Sequence, residues 1–147
     1  PLAETPQSAA AREMLIVRVK SGRLADAMRE ELNPVWLAPG PDRAAILEIA
    51  LDMADTLGPE VYVRQARALQ RARDQQAVLR KCKVPTLVMC GEVGRLNPVK
   101  RHSFMAELLP YAILRVIEGA GHLPTLEQPE ATTAAIKEWL KMPLTPA

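Results

Sequence analysis

Two continuous apolar runs constrain this chain most: "VPTLVMC", Val84 to Cys90, and "AILRVI", Ala112 to Ile117. Each is short and partly β-branched, with no regular alternation of polar side chains. That pattern reads as a strand covered on both faces, the kind found in parallel sheets. Between them lies "NPVKRHSFMAELLP". Its spacing predicts a helix with Asn97 as N-cap, Pro98 at the first helical position, and Met105, Leu108 and Leu109 as the buried stripe. A final helix is expected from Pro129, packing through Ala131, Ala135, Ile136 and Trp139. The order β-α-β-α implies two parallel strands joined by a right-handed helical crossover.

Two strands of this type do not make a sheet that stands alone. Strands apolar on both faces need helices on both sides and neighbours along both edges. The remaining residues supply no third convincing strand. The sheet is therefore expected to be completed by a missing N-terminal half of the same protein, by a partner chain, or by a domain-swapped homodimer.

Everything before the first run reads as helical. Ala10, Met14, Val17 and Lys20 share one expected face, and Leu24, Met28 and Leu32 the next, with Gly22 as the stop between them. "NPVWLAPGPD" is a loop with an apolar plug from Val35 to Leu37. Ile46, Ile49, Ala50, Met53 and Leu57 form one continuous stripe, entered at Pro41 and ended by Gly58-Pro59. A further helix from about Glu60 turns Val63, Ala66 and Leu69 inward. The expected organisation is a helical region over 1–81 and an α/β lobe over 82–147.

Composition excludes several classes of function. The 48% apolar and 24% charged residues fit a soluble globular protein, and a net charge of +2 favours no partner. Seven Arg or Lys fall between Arg64 and Lys83, with no aromatic residue among them for bases to stack on. They read as a solvated helical face, so no nucleic acid is expected as a partner. Cys82 and Cys90 make no disulfide framework, and with His102 and His122 they lack zinc-ligand spacing, so no metal is expected. No apolar stretch reaches the ~20 residues of a membrane span, and no signal-peptide pattern opens the chain. A cytoplasmic protein without a membrane partner is the expectation.

In open parallel sheets, chemistry collects beyond the carboxyl ends of the strands. Two loops fall there, "GEVGRLNP" (Gly91 to Pro98) and "EGAGH" (Glu118 to His122). Glycines at 119 and 121 allow a tight turn that brings one imidazole over the sheet edge. The residues alone leave two roles for His122 open, a hydrogen-bonded structural residue or a proton shuttle.

The stretch from Val84 to Leu140 resembles the C-terminal part of the α/β-hydrolase fold enzymes. In that family a strand ending in Gly-Glu-x-Asp-x-x-x-Pro presents the triad acid. A later Gly-His ahead of a Glu-x-Pro-Glu helix start presents the triad base. Here these read Gly91-Glu92-Val93-Gly94-Arg95-Leu96-Asn97-Pro98, and Gly121-His122 ahead of Glu127-Gln128-Pro129-Glu130. The helical half resembles the family's cap, where "WLAP" and "VYVRQARAL" look at home. The resemblance implies an α/β fold, the C-terminal β-α-β-α portion of the hydrolase sheet preceded by an all-helical cap. It implies a hydrolase acting on a small ester or similar activated carbonyl without a cofactor, His122 as catalytic base, and a small-molecule substrate. Trp36, Met14, Met28 and Met53 become candidate pocket-lining residues, with core packing as the other role for each.

Two departures qualify the resemblance. The family's nucleophile sits in Gly-x-Ser-x-Gly. Ser8, Ser21 and Ser103 lack the flanking glycines, and Cys90 lacks the glycine two residues before it. The triad-acid position is occupied by Gly94, leaving Glu92 as the candidate acid substitute. These departures motivate a second expectation: a non-catalytic chain that keeps the hydrolase scaffold for binding or assembly.

Overall fold

The structure, a computed structural model, describes residues 3–32 and 34–142. The chain divides into two compact units, one of Pro1–Asn33 and Ala44–Gln75, the other of Pro34–Arg43 and Gln76–Ala147. Residues 34–43 and 76–81 thus group with the α/β lobe.

The first unit is helical. α1 (Pro6–Lys20) is capped by Thr5, whose hydroxyl accepts the Ser8 N–H at 3.2 Å, and has Pro6 in its first turn. It ends at Gly22, whose φ of 85° turns the chain into α2 (Leu24–Glu31). α3 (Arg43–Gln70) breaks at Gly58, φ 80° and ψ 171°, immediately before Pro59. The proline has no N–H for the helical ladder, and the glycine takes a backbone angle other residues avoid. The helix ending expected at this pair is therefore a sharp break inside one long element. Arg12 pairs with Glu4 at 2.9 Å and with Glu31 at 3.0 Å. Arg67 holds Glu13, and Gln70 donates to the Ala9 carbonyl at 2.9 Å, which ties α1 to the end of α3.

Two of the expected helix faces are corrected. In α1 the buried residues are Ile16 and Val19, while Met14 and Val17 are 69% and 59% exposed. The run Met-Leu-Ile-Val is apolar all round the helix, so spacing alone could not choose the face. In α3 the inward positions are 46, 47, 50, 51 and 54. Ile49, Met53 and Leu57 face outward, each about half exposed or more. Ala66 is buried as expected, but Leu69 is exposed.

The second unit carries the strands. β1 (Thr86–Gly91) and β2 (Ala112–Ile117) pair in parallel, from Thr86↔Ala112 to Gly91↔Ile117. β1 starts two residues later than the apolar run because Pro85 has no N–H for the ladder, and Val84 is exposed. α5 (Val99–Leu108) is the crossover, with Leu108 and Leu109 buried. Its N-cap is Pro98, with ψ 158° and no side-chain cap, in place of the expected Asn97. α4 (Gln76–Lys81) leads into β1 and packs on α5. After β2 come α6 (Pro124–Glu127) and α7 (Pro129–Leu140). Ala135 packs with Ile117 and Ala120 against Met89. Ala131 and Ile136 of α7 lie outside that core, contrary to expectation, and Thr132 is buried instead, its hydroxyl donating to the Pro124 carbonyl at 2.9 Å. Among the described residues each strand is paired along one edge only. No described helix is long and apolar enough to cross a membrane.

Candidate active site

The loops after β1 and β2 lie side by side. Glu92 N–H donates to the Ile117 carbonyl at 2.9 Å and Val93 N–H to the Ala120 carbonyl at 3.0 Å, so the ladder continues past the strands into the turns. Close approach dictates the glycines. A Cβ on Gly91 would stand 2.0 Å from the Gly121 carbonyl oxygen and 2.4 Å from that of Ala120. Gly119 turns the chain with a φ of 66°, which leaves Ala120 fully buried beneath it.

A second strip of backbone covers the other side of the histidine loop. A Cβ on Gly121 would lie 2.5 Å from the Trp36 oxygen and 2.6 Å from the Ala38 nitrogen. The His122 N–H donates to that Trp36 carbonyl at 2.9 Å. Buried backbone groups need partners, and the three carbonyls and the Ala38 N–H of this strip have them. Arg43 donates to the Leu37 carbonyl at 2.9 Å and the Ala38 carbonyl at 3.0 Å, and the Ala38 N–H donates to Glu127 at 2.6 Å. The apolar plug anticipated at 35–37 is therefore a 3-10 turn (Pro34–Trp36) followed by buried Leu37.

Glu127 is the residue that sequence reasoning missed. One carboxylate oxygen accepts from Ala38 N–H and from Gly121 N–H at 2.9 Å, while the other accepts from Leu123 N–H at 2.8 Å. The available signal was a glutamate four residues after the position preceding Pro124. That is the placement of an acid reaching back to a helix's first amides.

His122 itself is half-buried. Its ring meets Trp36 edge-on, with centroids 6.4 Å apart and planes at 73°. Burial pushes the imidazole pKa below its ordinary value, the Glu127 charge works in the opposite direction, and His102 adds to the lowering. Burial thus favours the neutral ring, the form that can accept a proton. Gly94 is buried beside the loop: a Cβ there would sit 3.4 Å from the Gly121 oxygen, in ordinary contact. Glu92 is exposed, and its carboxylate accepts the Gly119 N–H at 3.1 Å, bracing the turn. Cys90 is buried, and desolvation raises its thiol pKa, which disfavours the nucleophilic thiolate.

The structure brings His122, Gly94, Glu92 and Trp36 together at the carboxyl end of the two strands. Met14, Met28 and Met53 belong to the first unit. Met28 lines a groove of about 240 Å³ there with Leu24, Leu51 and Asp55, whereas Met14 and Met53 stand exposed. Among the described residues no three His, Cys, Asp or Glu side chains cluster as a metal ion would require.

Neither a protein-family model nor a curated protein matches the sequence. Solved structures do match the fold. A thermophilic esterase from Thermogutta terrifontis superposes with a TM-score of 0.86 at 27% identity, covering 95% of this chain and 52% of its own. An enol-lactonase from Burkholderia xenovorans gives 0.79 at 19% identity, over 96% of this chain and 53% of its own. An esterase from Exiguobacterium antarcticum gives 0.75 at 21%, over 91% and 48%. The chain spans about half the length of these enzymes. With a helical region leading into a parallel β-α-β-α lobe, this chain has the fold of the C-terminal part of the α/β-hydrolases.

Proposed function

We propose that this chain provides the helical cap and the histidine base of an α/β-hydrolase acting on a small ester or similar activated carbonyl. The observation that carries the reading is the placement of His122. Its ring is half-buried, with burial favouring the neutral form, on a loop fixed at the carboxyl edge of a parallel sheet. In the proposed reaction the neutral ring takes the proton from a nucleophile's hydroxyl as that oxygen attacks the ester carbonyl. The imidazolium then returns the proton to the departing alkoxide, and water repeats the cycle on the acyl intermediate. The nucleophile comes from sequence outside these residues, in an upstream half, a partner chain or a swapped second copy. The strand edges left unpaired here support that assembly. The reading includes no cofactor, no nucleic acid and a cytoplasmic setting.

A second reading has one specific observation in its favour. Gly94 offers no carboxylate, and the hydrogen bonds recorded for Glu92 and Glu127 all end on backbone N–H groups. A scaffold that no longer catalyses would show the same arrangement. The discriminating experiment joins this chain to a nucleophile-bearing N-terminal half of the α/β-hydrolase fold and measures turnover of a short-chain aryl ester with and without Gly94→Asp. The Cβ fits without displacing backbone. In a serine protease the triad acid is worth about 10⁴ in kcat, so a hydrolase lacking its acid should gain at least ~10-fold. No turnover from either folded protein would favour the scaffold.

A further inference from the structure

We propose that Glu127 is a positioning residue that fastens the histidine loop to the Trp36–Ala38 strip, setting the imidazole of His122 and the indole of Trp36 as one pair. The proposal rests on the reading of His122 as the base and deepens it. Helix capping accounts for only part of what this side chain does. The bond from Leu123 N–H caps α6, but the bonds from Gly121 and Ala38 lie outside that helix, and Ala38 is 89 positions away in sequence. Glu127 is half-buried, so these amides are not simply solvated in its absence.

Three donors converging on two oxygens require a carboxylate. An amide side chain has one acceptor oxygen, and its NH2 group would face an N–H. Glutamine at 127 can therefore satisfy either the Ala38 and Gly121 pair or Leu123, but not both. The consequences run in two directions along the chain. Through Gly121, Glu127 fixes the residue immediately before the imidazole. Through Ala38, it holds the strip whose Trp36 carbonyl receives the His122 N–H and whose Trp36 ring meets the imidazole edge-on. Its negative charge also favours the imidazolium that would form during catalysis. Glu127 touches no reacting atom in this arrangement; it acts through His122.

The chain has two histidines and two tryptophans, which makes the test clean. Ring-labelled protein gives two imidazole signals, assigned with His102→Asn, and Trp139→Phe leaves Trp36 as the single indole. The expected result for Glu127→Gln is a lower His122 titration midpoint, Trp36 fluorescence that no longer follows that titration, and amide exchange at Ala38 and Gly121 roughly tenfold faster. Glu127→Asp retains the charge but is one methylene too short to span all three amides. It should leave the midpoint nearer the parent while still speeding exchange, and it serves equally if the glutamine variant does not fold. In ester turnover by the joined protein, Glu127→Gln should lower kcat while KM changes less than about twofold. Unchanged titration, Trp36 response and amide exchange in a folded Glu127→Gln protein would overturn the proposal. Turnover that survives His122→Ala would remove the base reading, and the ring and amide measurements would still decide whether Glu127 clamps the two segments.

Discussion

Replacing Gly121 with alanine tests the packing of the histidine loop. The added methyl would lie 2.5 Å from the Trp36 oxygen, 2.6 Å from the Ala38 nitrogen and 2.8 Å from the Leu37 carbonyl carbon. All three are backbone atoms, so no side chain can swing aside. Overpacking of this kind costs about 1–3 kcal/mol. Moving the strip away also strains the bonds from His122 N–H to Trp36 and from Ala38 N–H to Glu127, each worth about 1 kcal/mol net. The loss should therefore be about 2–5 kcal/mol, or roughly 5–15 °C in Tm for a chain of this size. Gly94→Ala is the matched control, since its methyl meets nothing closer than 3.4 Å. Its change should stay within about 1 kcal/mol of the parent. The assay is urea unfolding followed by tryptophan fluorescence and far-UV circular dichroism, on parent and both variants at one protein concentration. Gly121→Ala and Gly94→Ala unfolding at the same midpoint would refute the close-packed loop.

Truncating Ile16, which is fully buried, to alanine should cost about 2–5 kcal/mol in the same melts, whereas Met14→Ala, 69% exposed, should stay within about 0.5 kcal/mol; equal costs would mean that α1 presents the other face. The His122 pKa is lower in the folded than in the unfolded chain, so its contribution to stability is complete above about pH 6.5 and is lost as pH falls through that value toward the folded pKa. His122→Gln should remove that part of the pH dependence, and an unchanged profile would argue against a buried neutral ring. A serine-directed fluorophosphonate should leave this chain unlabelled, because none of its three serines sits in the glycine-flanked elbow that activates the nucleophile. Stoichiometric labelling seen by mass spectrometry would contradict that.

Much of the α/β lobe was legible because its signals are local. β2 and the start of α7 fall where the apolar run and Pro129 put them, and β1 differs only where Pro85 cannot join the ladder. The helical half was legible as helices but less so in its faces. The Met-Leu-Ile-Val run of α1 is apolar in every direction, and the stripe through Ile49 and Met53 lies about one residue's rotation from the inward side of α3. The gathering of His122, Gly94 and Glu92 follows from two loops at the ends of adjacent parallel strands. Glu127 was legible at most as a local cap for Leu123; its reach to Ala38, 89 positions away, leaves no trace in residue type or spacing. Arg43 acts nearby, on the carbonyls of Leu37 and Ala38 six and five positions before it, but an arginine bound to backbone carbonyls has no sequence signature either. The two glycines facing each other across the loops are explicable only once the strands are paired.

The central claim is that the imidazole at position 122 carries the proton in ester hydrolysis. Turnover of a short-chain aryl ester by the joined protein, before and after His122→Ala, measures it directly. The account predicts a fall in kcat of at least about 10³, partly restored by free imidazole. An alanine variant that folds and turns over as fast as its parent would contradict it.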